Sequence, residues 1–408
     1  MRKFRFHFLG LVHLPCSPRY NACAYTQKNI KLAKMLSSLG HEVVYYGAEG
    51  SEVACSRFVQ THTLRDLRQD YGDGDNRFEI GYDYRAGNFR EDFNPAEKMR
   101  STKKFYECSI REINAAKRDD DFLLLTMGYY HKPVHDGTKM FLTCEPGIGY
   151  RGSYARFRAF ESAHLRSYMQ GVEAERGRKD IDGHAYDRVI PNYFDPDEFT
   201  FRAEKKDYVL YMGRLIARKG VYTAYLAAKD AGVHLKIAGQ GGLVRPDGSF
   251  ASKVDPSVSF PSGGWEYVGY ADVGQRRELL ANAAALLVPT VYLEPFAGVH
   301  VEAMLSGTPP ITSDFGVFPG TIPDRPDGVV GFRCNTLGDY VMAIRRAGDV
   351  DHAAIRKHGE RYLMDNVRWE FQKWFEDLYD VYESAVEPGE GKGWYRIYEN
   401  EPLKAEIR

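Results

Sequence analysis

Short apolar runs alternate with stretches of helical periodicity along most of the chain. FRFHFLGLV (4–12) alternates and then turns apolar, as a first strand does. After the loop HLPCSPRYNACAY, Thr26 is placed to cap a helix over TQKNIKLAKMLSSL that ends at Gly40. HEVVYYG (41–47), VACSRFVQTHT (53–63), DFLLLTMG (121–128) and MFLTCEPG (140–147) read as further strands. Helices are predicted over 96–117 and from about 153 to 170, the latter with interleaved basic and aromatic residues. Residues 65–95 are polar and rich in Asp, Gly, Arg and Tyr, and read as an irregular insertion. RVIPNYFDPDEF (188–199) closes this half.

The second half repeats the rhythm. YVLYMG (208–213) is a strand, KGVYTAYLAAKDAG a helix, and HLKIAGQGG a strand running into a turn. Residues 243–263 read as a loop or excursion. WEYVGYA, DVGQRRELLANAA and ALLVPT then give strand, helix, strand; PPITSD and GVVGFRC are strands, and TLGDYVMAIRRAG is a helix. A last long helix is expected over 367–385, and 387–408 has no assignment. Strands alternating with helices predict parallel sheets covered on both faces. A chain of 408 residues exceeds one usual core and suggests two domains.

Composition narrows this little. A net charge of −1 gives no global pull toward nucleic acid or membrane, so any polyanion contact must be local. Six scattered cysteines with no C-x-x-C pair predict reduced thiols in a cytoplasm-like compartment. The first residues do not read as a signal peptide, and no apolar run approaches membrane-spanning length. Asp119-Asp120-Asp121 reads as a solvated strand start and Asp195-Pro196-Asp197 as an interdomain turn, not as metal ligands.

The candidate chemistry concentrates in YLEPFAGVHVEAMLSG (292–307). Glu294 and Glu302 stand eight positions apart, with Pro295 and Gly298 in a turn that enters a helix. Val301, Met304 and Leu305 recur at helical spacing, and Gly307 stops the helix. A strand, ALLVPT, precedes the turn, so Glu294 falls at the edge where open α/β sheets bind ligands. His300 is predicted on the exposed side of that helix.

This stretch resembles the E-x7-E element of retaining glycosyltransferases with the GT-B fold, in particular family 4, also called glycosyl transferases group 1. The resemblance implies two Rossmann-like parallel-sheet domains facing a central cleft. It implies that Glu294 touches the donor sugar and Glu302 the nucleotide ribose, since a carboxylate accepts two hydrogen bonds from a vicinal diol. The N–H groups of Phe296, Ala297 and Gly298 would hold phosphate oxygens or donor hydroxyls. MGRLIARKG (212–220) matches the family pattern G-R-x4-K-G through Gly213, Arg214, Lys219 and Gly220. By resemblance Arg214 and Lys219 bind the donor diphosphate, and fixed cations suit the charge that develops on it. Gly239 and Gly241 of IAGQGG would approach the nucleotide, and Gly269 and Tyr270 of WEYVGY the nucleobase. No metal is expected, because Arg and Lys meet the diphosphate.

In the first half the resemblance covers the strand-loop-helix opening and VIPNYFD, where Tyr193 replaces the usual glycine. No glycine lies between Gly10 and Gly40, so this loop is shaped differently from the family's. His131 and Glu145 follow strands and are the candidates to face the reaction centre; Gly147, Gly149, Arg151 and Gly152 form a turn that could bind phosphate or acceptor. Arg156, Arg158 and Arg166 beside Tyr154, Phe157 and Phe160 suit a polyanion if they share a helix face. The implied domains are 1–199 on the acceptor side, 200–366 for the nucleotide sugar, and 367–408 crossing back to the first. The implied reaction moves a sugar from a UDP-, GDP- or similar donor to a hydroxyl acceptor in the cytoplasm. The first half also resembles phage-encoded members, which would place a hydroxymethylated DNA base as acceptor in a host cytoplasm. A sugar phosphorylase and a catalytically silent sugar- or nucleotide-binding protein are the other readings of this fold.

Overall fold

A computed structural model of the protein describes residues 1–20, 23–71, 97–175, 186–323 and 329–384. Most of the expected insertion at 65–95 and the tail at 387–408 lie outside the described residues. The chain forms two compact units, one running to Tyr193 and resuming at Met364, the other Phe194–Leu363.

The first unit is built on strands β1 (Arg5–Leu9), β2 (Glu42–Ala48), β3 (Arg57–His62), β4 (Phe122–Leu124), β5 (Leu142–Ile148), β6 (Phe157–Phe160) and β7 (Arg188–Val189). They pair in the order β3-β2-β1-β4-β5-β6-β7, all parallel. The strands' period of two sorts the core onto two faces. Phe6, Phe8, Val43, Tyr45, Phe122 and Leu124 point one way; Leu9, Val44, Tyr46, Leu123 and Leu125 point the other. The described helices are α1 (Ala24–Ser38), α2 (Leu64–Tyr71), α3 (Arg100–Ala116), α4 (Lys132–Thr138) and α5 (Ala163–Glu175). Helix α1 starts after Cys23, with no side-chain cap, so Thr26 is a buried helical residue and not the cap.

The second unit holds β8 (Val209–Met212), β9 (Leu235–Ala238), β10 (Gly242–Val244), β11 (Phe250–Ser252), β12 (Ser259–Phe260), β13 (Trp265–Gly269), β14 (Ala285–Val288), β15 (Pro310–Ser313) and β16 (Phe332–Cys334). Its main sheet runs β13-β9-β8-β14-β15-β16, again all parallel. Around it lie α6 (Val221–Ala231), α7 (Val273–Asn282), α8 (Val299–Leu305), α9 (Phe318–Thr321), α10 (Leu337–Arg346) and α11 (His352–Gly359). The expected excursion at 243–263 is instead a small antiparallel sheet, β10-β11-β12. Phe250 and Phe260 stack there at 4.6 Å, which gives the segment apolar burial of its own.

Helix α12 (Met364–Ser384) belongs to the first unit, where it packs on α1. Val367, Phe371, Trp374, Phe375, Leu378 and Val381 are its buried stripe. Burying such side chains contributes roughly 1.5–3 kcal/mol each, so this helix is a structural part of that core.

In both units the strand order reverses next to the first strand. The reversal falls between β1 and β4 in the first unit and between β8 and β14 in the second. Two loops leave such a point in opposite directions, and the crevice between them is where open α/β sheets bind ligands.

Candidate functional site

In the second unit the two loops at the reversal are the two segments with the strongest motifs. The loop after β8 carries Gly213, Arg214, Lys219 and Gly220; the turn after β14 carries Glu294. They are tied backbone to backbone and side chain to backbone. The Arg218 carbonyl accepts from Val291 N–H at 2.9 Å and from Thr290 Oγ1 at 3.0 Å. Lys219 Nζ then reaches Glu294 Oε1 at 2.5 Å, with the carboxylate side chain only 5% exposed. Burial pulls the Lys219 ammonium below its usual pKa, and Glu294 opposes that pull. Both Arg218 and Lys219 lie over the Tyr292 ring, at 5.0 and 4.9 Å from its centre. Arg214 is exposed, and its carbonyl accepts from Tyr211 Oη at 2.7 Å.

The neighbouring strand ends complete this edge. Gly213 N–H donates to Ala238 O at 3.0 Å, and Gly239 N–H to Gly269 O at 2.9 Å. A Cβ on Gly239 would lie 2.1 Å from the Gly213 carbonyl oxygen, so that close approach requires glycine. Gly241 sits in the turn beyond β9, Gly269 ends β13, and half-buried Tyr270 follows it. Glu302, on α8, is ion-paired with Arg276 of α7, and Tyr270 lies close enough to influence the same arginine. The Phe296 ring is buried against Phe194, Tyr362 and His300, which leaves only its backbone toward the turn. Ala297 adopts φ 60°, left-handed backbone that a residue with a Cβ seldom occupies.

Three residues here have no counterpart in the motif reading. Arg276 pairs with Glu302, Tyr292 carries the two cations, and Asp255 Oδ2 accepts from Ala217 N–H at 2.8 Å, pinning the Arg214–Lys219 loop. Tyr292 adjoins the glutamate motif and could have been singled out for that. Nothing in the sequence distinguishes Arg276 from Arg277 beside it.

His300 is not on an exposed helix face. It is buried between Phe296 and Phe318, its Nδ1 2.7 Å from Ala297 O.

The first unit corrects several expectations. His131 is fully buried and stacked on Phe105, with Nδ1 accepting from Thr126 N–H at 3.1 Å and Nε2 on Gly10 O at 3.0 Å. Both ring nitrogens therefore go to backbone, tying the segment after β4 to the segment after β1. Glu145 is likewise buried: Oε1 accepts from Tyr154 and Ala155 N–H at 2.7 and 2.8 Å, and Oε2 from Tyr150 Oη at 2.6 Å. It braces the Gly147–Gly149–Arg151–Gly152 loop, and burial raises its pKa. Residues 157–160 form strand β6, so the expected basic-aromatic helix over 153–170 does not exist as one face. Arg158 is buried, bonded to Asp187 at 2.8 Å and to Glu173. Asp121 is not solvated either; it accepts from Arg118 N–H at 2.8 Å and meets His7 Nε2 at 3.1 Å.

These buried imidazoles predict an acid response. Burial lowers the pKa of His41, His62 and His300 to about 4 and that of His131 to about 3. The unfolded chain binds those protons near pH 6.5, so stability is complete above that pH and is lost as pH falls from about 6.5 toward 4. Each histidine contributes up to about 1.4 kcal/mol per pH unit. The urea midpoint should drop clearly between pH 7 and pH 5; an unchanged midpoint would contradict the burial of these rings.

Known proteins resemble this chain in part of its sequence and in its fold. Residues 195–347 match the family model described as Glycosyl transferases group 1. The matched stretch lies within the second unit. The chain is 33% identical over 180 residues to glycogen synthase of Mycobacterium tuberculosis, 41% of either chain, so the match spans about two fifths of that relative. Among solved structures it is similar to sucrose-phosphate synthase from Thermosynechococcus elongatus, with TM-score 0.60, 16% identity, and coverage of 92% of this chain and 99% of that one. It is also similar to Anabaena HepE in complex with UDP and glucose, with TM-score 0.58, 11% identity, and 91% and 99% coverage. At these identities the structural likeness shows the fold, and the fold is GT-B with two Rossmann-like parallel sheets. The residues matched by that family model include the strand reversal where Lys219 meets Glu294. Among the described residues, no helix is long and apolar enough to cross a membrane, and no group of three His, Cys, Asp or Glu could hold a metal.

Proposed function

We propose that the protein is a retaining glycosyltransferase that moves a sugar from a nucleoside-diphosphate sugar to a hydroxyl acceptor, with the donor held by the second unit. The observation that carries this is the Lys219–Glu294 pair at the strand reversal, one helical segment away from Glu302. Arg214 and Lys219 would meet the diphosphate and stabilise its charge as it leaves. Glu294 would accept from sugar hydroxyls, and Lys219 would exchange part of its contact with Glu294 for the phosphate. Glu302, steered by Arg276, would accept from the ribose diol with its other oxygen. The Phe296–Gly298 backbone would line the donor, Gly239 and Gly241 would let the nucleotide approach, and Gly269 and Tyr270 would border the base. No metal is proposed, because Arg214 and Lys219 would supply the cations that meet the diphosphate.

Support comes from the group 1 match over these same loops and from HepE, whose complex contains UDP and glucose, which favours a uridine nucleotide. The family's usual chemistry is attack on the face the leaving group departs from, the departing phosphate taking the acceptor proton. A hydroxymethylated DNA base as acceptor has weaker residue support, because Arg158 is buried in ion pairs on strand β6 and does not share a helix face with Arg156 and Arg166.

The test is a panel of UDP-, GDP- and ADP-sugars scored by thermal shift and by release of free nucleoside diphosphate. A ligand at about 100 times its Kd stabilises by about 2.7 kcal/mol, a readily measured shift. Release of sugar 1-phosphate with inorganic phosphate would point to a phosphorylase instead, and binding with neither transfer nor hydrolysis would point to a silent protein.

A further inference from the structure

His300 lies between the two glutamates of the donor turn, and the turn and the helix meet at its ring. The Ala297 carbonyl accepts twice from this one residue, from His300 N–H at 3.1 Å and from Nδ1 at 2.7 Å. A carbonyl only accepts, so the proton is on Nδ1 and Nε2 carries a lone pair. That Nε2 is buried with no hydrogen-bond partner among the described residues. Leaving a buried polar group unsatisfied is costly. Ala297 at φ 60° adds a second cost. Packing does not call for either: between Phe296 and Phe318, a leucine would occupy apolar space without stranding a nitrogen. The bond to Ala297 is what the imidazole supplies that leucine cannot.

We propose that His300 is a positioning residue, which clamps the Ala297 carbonyl and thereby sets where Glu294 stands relative to Glu302 when donor binds. This rests on the donor reading above. Freed of the clamp, an alanine at position 297 relaxes toward negative φ and re-aims the turn. A glycine there has no such preference, so it tolerates loss of the clamp.

The experiment measures UDP affinity by calorimetry and KM for UDP-glucose, on the full chain. His300→Leu should weaken both by about tenfold, close to 1.4 kcal/mol. His300→Asn, whose Nδ2 takes the place of Nδ1, should bind nearly as the native protein does. Ala297→Gly added to His300→Leu should recover most of the loss. A folded His300→Leu that binds like the native protein overturns the inference. So does an asparagine variant as weak as leucine, or a double variant with no recovery, since either would mean the ring acts by packing alone. Arg214→Ala is the parallel control. If it leaves affinity unchanged, the donor reading fails; if it weakens affinity while His300→Leu does not, only the present inference fails.

Discussion

Arg214→Ala lowers kcat/KM for the nucleotide-sugar donor by about 100- to 1,000-fold, the loss typical of removing one preorganised group aimed at developing charge. Arg214 is exposed in the loop after β8, and substitutions at exposed positions usually cost little ligand-free stability. Lys219→Ala lowers turnover at least as much, and it differs in stability. Its ammonium is the partner of a carboxylate only 5% exposed. Deleting it strands Glu294, and breaking such a pair costs up to about 3 kcal/mol, discounted here because the lysine side chain is 20% exposed. Glu294→Gln added to Lys219→Ala should restore stability without restoring turnover. Steady-state rates and urea melts on the four proteins separate the two effects. Unchanged donor turnover in both single variants would sink the diphosphate assignment.

Gly220→Ala should destabilise the protein by about 3 kcal/mol or more, among the largest effects of a one-carbon change. The residue has φ 77°, and an added Cβ would lie 1.9 Å from the Pro289 carbonyl oxygen. Neither side can yield cheaply, because both are backbone, one entering α6 and the other ending β14. Gly232→Ala is the matched control. Its φ is 74°, but nothing lies within 4 Å of its added Cβ, so only the backbone term remains, about 1 kcal/mol. Relief of the contact requires the loop after β8 to move off β14, which separates Lys219 from Glu294. Gly220→Ala should therefore also lose UDP binding, while Gly232→Ala keeps it. Equal destabilisation of the two variants in paired denaturant melts would show that the two loops are not in the contact described.

The reversal of strand order explains why the motifs were informative. Gly213-Arg214 and Glu294 are some eighty residues apart, and local pattern reads each only as a loop after a strand. The sheet order then makes those two strands neighbours. Where the motif reading failed, the cause was burial. His131 lies beyond β4 and Glu145 and Arg158 lie within β5 and β6, and all three side chains are consumed by hydrogen bonds or ion pairs inside the first unit. A catalytic histidine and one that closes a loop look alike until the partners of both nitrogens are known. His300 shows the opposite error, a polar residue assigned to solvent and found in the core. Arg276 and Arg277 are adjacent on α7 but meet different partners, and only packing decides that Arg276 is the one that pairs with Glu302.

Periodicity settled the class of fold, since apolar runs of strand length between helical stretches can bury themselves only as a covered parallel sheet. Motif spacing placed the candidate chemistry at the ends of β8 and β14. Tertiary packing alone decided which side chains remained available there, because availability depends on partners contributed by distant segments: Ala297 for His300, Arg276 for Glu302, and Gly10 for His131.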